Sequence, residues 1–356
     1  MGLADSETRK MTTRARTEAW SSATLREEKF WPIDLFTRSL TLLVANKLGV
    51  FEQLAGGPRP LVDIATNSGA DLKGMRILLD ALVVLEYLKK TGELYENEND
   101  TTLYMTKGSR EYIGTRLLHI YDGLDRWLRL EDLVRHGQKY KYRLPEFHKT
   151  PAEQKKRTRE FTIGLSESSR STAALVAKML DLRGVKDLLD VGGGAGTYSI
   201  EFVRKQPKLR AVVFELPIPA RVAREQAKAA GLEKRIRVEI GDFLSHNLGK
   251  QVYDAVFLSN IIHNLSADDN RRLLEKAWVS LRSGGRIIVK DMMPNDRRDG
   301  PYYPLIFALT MLMFTDSGDT YSEAEVRRWL KEIGFVRLSR KTVIRGENSI
   351  LIGWKK

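Results

Sequence analysis

The second half of the chain is constrained most by a regular alternation of short apolar segments with helical ones. After residue 187, helical stretches such as "PARVAREQAKAAGL" separate five candidate strands, which read "DLLDV", "AVVFEL", "VEIGD", "YDAVFLSN" and "GRIIVKD". This order predicts a parallel, doubly wound sheet of the α/β class. The tail "VRLSRKTVIRGENSILIGWKK" predicts an antiparallel pair of strands around a polar turn, closing one edge of that sheet.

A glycine-rich turn, "DVGGGAGTYS", follows the first of these strands. Missing side chains let a ligand lie against such a turn and against the N–H groups that begin the next helix. A dinucleotide fingerprint, G-x-G-x-x-G, fits poorly, and no Gly-Lys-Ser/Thr follows to make a phosphate-binding loop. The turn itself has the pattern D-x-G-x-G-x-G, formed by Asp190, Gly192, Gly194 and Gly196.

Polar side chains follow the next three strands, where ligands of open α/β sheets bind. Glu215 ends the second strand, and a carboxylate there can accept hydrogen bonds from both hydroxyls of a ribose. Asp242 and Phe243 follow the third strand and offer an acceptor and an apolar face to an adenine. The fourth strand ends with Ser259, Asn260 and His263. These strand ends predict a site for an adenosine-like ligand that has no phosphate to be gripped.

The composition of the chain excludes several kinds of site and favours one location. The chain has no cysteine, which excludes disulfides, zinc-thiolate sites and cysteine nucleophiles. Its N-terminus lacks the apolar core of a signal peptide and no later apolar run is long enough to span a membrane, so we expect a cytoplasmic protein. The net charge of +13 is largely scattered, with its densest part in "RHGQKYKYRLPEFHKTPAEQKKRTR". This favours a solvated basic linker over a nucleic-acid footprint.

The first half of the chain is mainly helical. Residues 60–113 predict a helix, a short turn containing Gly69, a second helix and two strands flanking "ENEND", which together form a winged helix-turn-helix pattern. Such a unit can bind DNA. Its presumed recognition segment, "DLKGMRILLDALVVLEYL", is mostly apolar, however, and is better suited to burial than to reading bases.

The ordered motifs "LLDVGGGAGTYS", "FELP", "GDFL", "NIIHNL" and "GRIIVKDMMP" together resemble the S-adenosylmethionine-dependent O-methyltransferases of the plant caffeate and bacterial acetylserotonin type. The resemblance runs from about residue 30 to the end. It implies a class I methyltransferase domain with a Rossmann-like sheet, preceded by a helical, winged-helix-like dimerisation domain. It also implies S-adenosylmethionine as cofactor and S-adenosylhomocysteine as product.

The same resemblance implies the positions of site residues. Cofactor-binding positions are Ser169, Asp190, Gly192, Gly194, Gly196, Glu215, Leu216, Gly241, Asp242, Phe243, Ser259 and Asn260. The family's catalytic base corresponds to His263, and the acid that orients this base corresponds to Asp291. Positions predicted to line the acceptor pocket are Leu165, Phe307, Met311 and Thr315. No metal is expected, because a histidine base with a sulfonium cofactor requires none.

Three departures affect the chemistry. Plant members have a second supporting acid at a position that aligns with Thr320 here, although Asp319 is adjacent. The family's usual His-Asp pair is His263-Asn264 in this sequence, and a lysine that lines the cofactor site in plant members is replaced by Ser259. The acceptor atom therefore stays open between an aromatic hydroxyl and an activated aromatic or tetrapyrrole carbon.

These observations predict three segments: a dimerisation domain at 1–112, a helical linker contributing to the substrate pocket at 113–180, and a methyltransferase domain at 181–356. The leading interpretation is a homodimeric O-methyltransferase acting on an apolar aromatic small molecule, without membrane insertion. The alternatives are C-methylation and a non-catalytic, methyltransferase-like DNA-binding regulator.

Overall fold

The computed structural model describes residues 32–356, and this part of the chain divides after Thr102 into two compact units. None of the helices in the described range is long and apolar enough to cross a membrane.

The N-terminal unit is helical with a small antiparallel sheet. In chain order its elements are α1 Pro32–Lys47, α2 Val50–Gln53, β1 Arg59–Pro60, α3 Leu61–Asn67, α4 Leu72–Val84, β2 Leu88–Thr91 and β3 Leu94–Asn97. The carboxylate of Asp71 accepts a hydrogen bond from the N–H of Gly74 (2.7 Å) and so caps the start of α4. Met75, Leu79 and Leu82 follow at helical spacing and are buried.

The prediction of two strands flanking "ENEND" was wrong. The hairpin turns earlier, at Gly92-Glu93, and β3 contains Glu96 and Asn97. Gly92 adopts φ 58°, which a residue without a Cβ accepts readily in a two-residue turn. The segment expected to form the second strand is instead the helix α5, Asn99–Met105.

Helices make up the first part of the C-terminal unit: α6 Gly114–Tyr121, α7 Leu124–Trp127, α8 Leu130–His136 and α9 Pro151–Met179, with two 3₁₀ turns at Gln138–Arg143 and Pro145–Phe147. The long helix α9 starts at a capping box, because the Thr150 hydroxyl accepts from the N–H of Glu153 and the Glu153 carboxylate accepts from the N–H of Thr150. Pro151 occupies its first turn, where a missing N–H costs nothing.

A seven-stranded sheet with further helices forms the rest of this unit, and the spatial order of its strands is β6-β5-β4-β7-β8-β10-β9. Its strands are β4 Asp187–Val191, β5 Arg210–Glu215, β6 Ile236–Ile240, β7 Tyr253–Ser259, β8 Leu281–Asp291, β9 Val336–Ile344 and β10 Asn348–Trp354. The first five are parallel, whereas β10 runs antiparallel to both β8 and β9. The predicted parallel sheet with an antiparallel C-terminal hairpin is therefore confirmed.

Four of the remaining helices cover the sheet: α10 Thr197–Lys205, α11 Pro217–Ala229, α12 Ala267–Ser280 and α14 Glu323–Ile333. The fifth, α13 Tyr302–Phe314, packs instead against α8 and the 3₁₀ turn that follows it. Neighbouring strand residues alternate between two cores. Leu188 packs with Phe202 of α10, whereas Leu189 packs in a second cluster with Leu273 of α12 and Trp329 of α14. Because both faces are buried, functional side chains collect at the carboxyl ends of the parallel strands.

Candidate active site

The glycine turn leaves β4 and enters α10 in a conformation that requires glycine. Gly192 adopts φ +64°, and a Cβ added to it would lie 2.3 Å from Cδ1 of Ile261. Gly194 adopts φ +57°, and nothing lies within 4 Å of a Cβ built there. The turn is thus packed on one side and has open space beside its middle glycine, where a ligand can approach the backbone.

Two buried carboxylates brace this turn. Asp190 accepts a hydrogen bond from the hydroxyl of Ser199 (2.7 Å), and burial raises its pKa to about 7. Glu215 accepts from the N–H of Gly194 (2.9 Å) and from its neighbour Leu216 (2.7 Å), and burial raises its pKa as well. When ionised, these two acids place negative charge where a cationic ligand would be favoured, and a bound cation would in turn favour their ionised form.

The carboxyl end of β6 forms a tight turn. Gly241 is buried, donates its N–H to the carbonyl of Glu215 (3.0 Å), and has no room for a Cβ, which would lie 2.4 Å from the ring of Phe214. Asp242 is exposed and accepts from the N–H of Leu244 (2.8 Å), while Phe243 is half-buried. Together with the exposed Leu216, these residues provide an apolar surface and a hydrogen-bond acceptor at this strand end.

Helix α9 is joined to the start of α10, directly after the glycine turn, by a pair of hydroxyl groups. The hydroxyls of Ser166 and Thr197 lie 2.8 Å apart and join α9 to the first turn of α10. Ser169 is half-buried one turn further along α9. A helix places residues three apart near one another, so Ser166 and Ser169 share one region of the α9 surface.

Past the end of β7 the backbone takes an unusual course. Asn260 adopts φ 57°, and its N–H donates to the carbonyl of Lys290 on β8 (2.8 Å). The ammonium group of Lys290 donates in turn to Oδ1 of Asn260 (3.0 Å). The half-buried Ser259 is the register partner of Lys290 across the two strands.

A histidine lies just past the end of β7, and an aspartate is the last residue of β8. Nδ1 of His263, in a 3₁₀ turn at Ile262–Asn264, lies 2.6 Å from Oδ1 of Asp291, and both side chains are buried. The same carboxylate oxygen accepts from the N–H of Met292 (2.8 Å). A carboxylate only accepts hydrogen bonds, so the proton belongs on Nδ1 and Nε2 retains a lone pair. This is the arrangement that a general base requires.

The two candidates for a second supporting group have different surroundings. Asp319 is half-exposed, pairs with Arg298 (3.0 Å) and accepts from the N–H of Thr320 (2.7 Å). Thr320 is fully buried, and its hydroxyl has no hydrogen-bond partner among residues 32–356.

Aromatic and apolar residues of α13 approach His263. The ring of Phe307 meets the imidazole edge to face with centroids 4.9 Å apart, and Tyr303 stacks on Phe307 at 6.1 Å. Met311, one turn further along, is 4% exposed. Leu165 on α9 is partly open to solvent, at 40%.

Thr315 directly follows α13 and belongs to a network of hydrogen bonds. Its hydroxyl donates to the carbonyl of Met311 (2.7 Å) and accepts from the N–H of Gly318 (2.8 Å). From the 3₁₀ turn after α8, the Gln138 amide donates to the carbonyl of Gly318 (3.0 Å), and the buried Lys141 pairs with Asp316 (2.7 Å). These contacts hold residues 315–318, which lie against the backbone of His263.

Several residues of the site carried no signal in the sequence. Ser166 lies in a run of serines, Gln138 and Lys141 lie in a basic segment, and Gly318 follows no strand. Lys290 could have been flagged, because a charged residue between the apolar pairs "IV" and "MM" of the run "IIVKDMM" requires buried partners.

The parallel sheet, the glycine turn and the carboxylate at the end of β5 define a class I methyltransferase. Residues 127–336 match the model of the O-methyltransferase domain, and residues 32–107 match that of the O-methyltransferase dimerisation domain. The chain belongs to this O-methyltransferase family, and its cofactor is S-adenosylmethionine.

Relatives agree with this membership. The chain is 32% identical over 299 residues to the 3-hydroxy-5-methyl-1-naphthoate 3-O-methyltransferase of Streptomyces sahachiroi, covering 83% of this chain and 86% of the relative. It is 28% identical over 295 residues to the N,N-dimethyltransferase OxyT of Streptomyces rimosus, covering 82% and 85%. The crystal structure of human N-acetylserotonin methyltransferase in complex with SAM has the same fold, with a TM-score of 0.83, 24% identity and coverage of 95% and 99%.

Proposed function

We propose that this O-methyltransferase methylates a hydroxyl group of a flat, apolar aromatic molecule, with His263 as general base and Asp291 as the group that orients it. The observation that carries the proposal is the 2.6 Å contact between His263 Nδ1 and Asp291 Oδ1 at two adjacent strand ends. Because Asp291 accepts the Nδ1 proton, Nε2 is left to take the proton of the acceptor hydroxyl.

The residues around the glycine turn fit the cofactor. S-adenosylmethionine supplies an electrophilic methyl group on a sulfonium. The open space beside Gly194 admits the ligand to the backbone, and the carboxylates of Asp190 and Glu215 suit its positive charge. We assign the adenosine to Glu215, Leu216, Gly241, Asp242 and Phe243, and the methionine portion to the turn together with Ser169, Ser259 and Asn260.

The chain's own contribution to catalysis is alignment and proton removal. Burial shields His263 from water, and its imidazole meets the ring of Phe307 at an interplanar angle of 78°. A planar acceptor packed against Phe307 would present its hydroxyl to Nε2 in one orientation, which favours transfer by holding the reacting atoms together. We assign Leu165, Met311 and Thr315 to the same acceptor pocket.

The relatives support an aromatic acceptor and also supply the competing candidate. The relative from Streptomyces sahachiroi is named for a naphthoate hydroxyl, whereas OxyT is named for N,N-dimethylation. A hydroxyl must therefore be tested against an amine, and also against an activated aromatic carbon, which the sequence leaves open.

The test uses labelled S-adenosylmethionine and a panel of aromatic hydroxyls, aromatic amines and unsubstituted electron-rich rings, with mass spectrometry locating the methyl group. We expect O-methyl products with wild type, loss of turnover with His263→Ala, and unchanged cofactor affinity in this variant. His136→Ala serves as control, because His136 is an exposed residue of α8. Methylation of nitrogen or carbon alone would overturn the acceptor assignment, and turnover by His263→Ala would overturn the base.

Quaternary structure and location complete the proposal. We infer a homodimer formed through the N-terminal domain, in which Val62, Leu72, Ile77 and Val84 expose half or more of their surface. Light scattering of the purified chain at twice the monomer mass would support the dimer. The domain boundaries at residues 112 and 180 and a cytoplasmic location remain proposals.

A further inference from the structure

Lys290 is a buried cation whose role the methyl-transfer chemistry does not explain. Its side chain lies on β8 directly before Asp291, and the residue is 1% exposed. An ammonium group taken out of water without a carboxylate partner is costly, so an apolar residue would be expected at such a position. Among the described residues, no carboxylate forms an ion pair with it; Asp291 and Glu347 favour its charge only at longer range.

Three groups surround the ammonium. It donates to Oδ1 of Asn260 (3.0 Å) and to Oδ1 of Asn348 at the start of β10 (3.1 Å). The ammonium also lies over the face of the Tyr198 ring, in the first turn of α10, 5.6 Å from the ring centroid. These contacts join β7, β8, β10 and the helix that follows the glycine turn.

Asn260 is held from both sides by the same residue. Its N–H donates to the carbonyl of Lys290, and its side chain accepts from the ammonium of Lys290. Its φ of 57° lies in the left-handed region, which non-glycine residues adopt at a cost unless the surroundings impose it. The carbonyl of Asn260 then accepts from the side chain of Asn264, so the bend continues through the 3₁₀ turn that carries His263.

We propose that Lys290 is a positioning residue for methyl transfer: through Asn260 it fixes the bend after β7, and thereby the alignment of His263 with Asp291. This inference rests on the proposed role of His263 as base. Burial lowers the pKa of Lys290 to about 8, because the charged form loses its hydration. A buried charge of this kind contributes little to stability, which is consistent with a role in the geometry of the site.

The first variant is Lys290→Met, which keeps the length of the side chain and removes its charge and donors. We expect kcat to fall by about tenfold or more, since small misplacement of a reacting group is costly in rate. The dissociation constant for S-adenosylmethionine should stay within about threefold, and the melting temperature should be unchanged or higher, because removing a buried unpaired charge relieves a desolvation cost. Lys205→Met is the matched control, since Lys205 also donates to two oxygens but lies on the outer end of α10.

The second variant, Asn260→Gly, tests the same link from its other end. Glycine accepts the left-handed conformation, so the variant removes the side-chain acceptor while the backbone path remains available. If Lys290 acts through Asn260, the two single variants lose similar amounts of kcat and the double variant loses no more than either. With S-adenosylmethionine saturating, because Asn260 is also assigned to the cofactor site, additive losses of kcat would overturn the proposal, as would wild-type kcat in either variant. For Lys290→Met, a loss of cofactor affinity that accounts for the whole effect would overturn it as well.

A spectroscopic readout separates this inference from the role of His263 in turnover. The chain has five histidines, and the Nδ1 proton shared with Asp291 should give a downfield NMR signal that is absent in His263→Ala. We expect this signal to broaden or disappear in Lys290→Met and to persist in Lys205→Met. If His263→Ala keeps its activity, the proposed role of His263 as base is wrong. The signal in wild type and in Lys290→Met still measures the alignment of His263 with Asp291, so the two proposals are tested separately. An unchanged signal in Lys290→Met would overturn the positioning role.

Discussion

Gly318 lies against the carbonyl oxygen of His263 so closely that a Cβ on the glycine would sit 2.3 Å from that oxygen. The same Cβ would lie 2.6 Å from the hydroxyl of Thr315. The turn after α13 and the segment that carries the base are thus in direct contact. The shape of one determines the position of the other.

In Gly318→Ala the added methyl group should therefore push the backbone of His263 away from the turn. A shift of a few tenths of an ångström to an ångström costs up to about 10²-fold in rate when it affects a reacting group. We predict a loss of kcat of this order with the dissociation constant for S-adenosylmethionine unchanged. Gly56→Ala is the control, because a Cβ at Gly56 would meet nothing within 4 Å. Wild-type kcat in Gly318→Ala would show that the turn yields without moving the base.

Asp291→Asn tests the tautomer of His263. An amide keeps the size of the carboxylate, but its NH₂ group can donate to Nδ1 and so favours the proton on Nε2. We predict a fall in kcat of roughly 10² to 10⁴-fold, as expected when a base loses the carboxylate that orients it. Single-turnover rates with saturating cofactor measure this directly. A fall confined to the KM for the acceptor would instead place Asp291 in substrate binding.

Glu215→Gln tests the carboxylate at the end of β5. The amide oxygen can still accept from the N–H of Gly194, so the turn should persist while one negative charge is lost. Hydrogen bonds to a charged group contribute about 1.5–3 kcal/mol, so cofactor affinity should weaken by roughly 10 to 100-fold by calorimetry. Glu225→Gln is the control, since Glu225 is an exposed residue of α11 that pairs with Arg159 of α9. Equal affinities for the two variants would remove Glu215 from the cofactor site.

The sheet was predictable from sequence because its strands are buried on both faces and read as apolar runs, and polar residues at their carboxyl ends marked the site. Lys290 could not be assigned a role, because its partners Asn260 and Asn348 are far apart in sequence and meet only when β10 pairs with β8. Gly318 was missed for a similar reason: its contact with His263 depends on tertiary packing. The hairpin near "ENEND" was misplaced because Gly92 was not recognised as the turn residue.

Asp190 makes the stability of the cofactor-free protein depend on pH. Burial raises its pKa from 3.8 to about 7, so between these values the folded carboxyl holds a proton that the unfolded chain releases. The free energy of unfolding therefore decreases as pH rises through this window, and the penalty is complete above pH 7 and absent below about pH 4. The raised pKa of Glu215 acts in the same direction.

Asp190→Asn cannot ionise and should escape this penalty, while the amide oxygen can still accept from Ser199. Relative to wild type, the variant should gain stability as pH rises from 4 to 7, by up to about 4 kcal/mol. Urea denaturation at pH 5 and pH 8 measures the gain, with Asp268→Asn, whose side chain is 87% exposed, as control. A constant difference between Asp190→Asn and wild type at both pH values would mean that Asp190 is ionised throughout. In that case the negative charge at the glycine turn would be fully present in the pH range where the enzyme works.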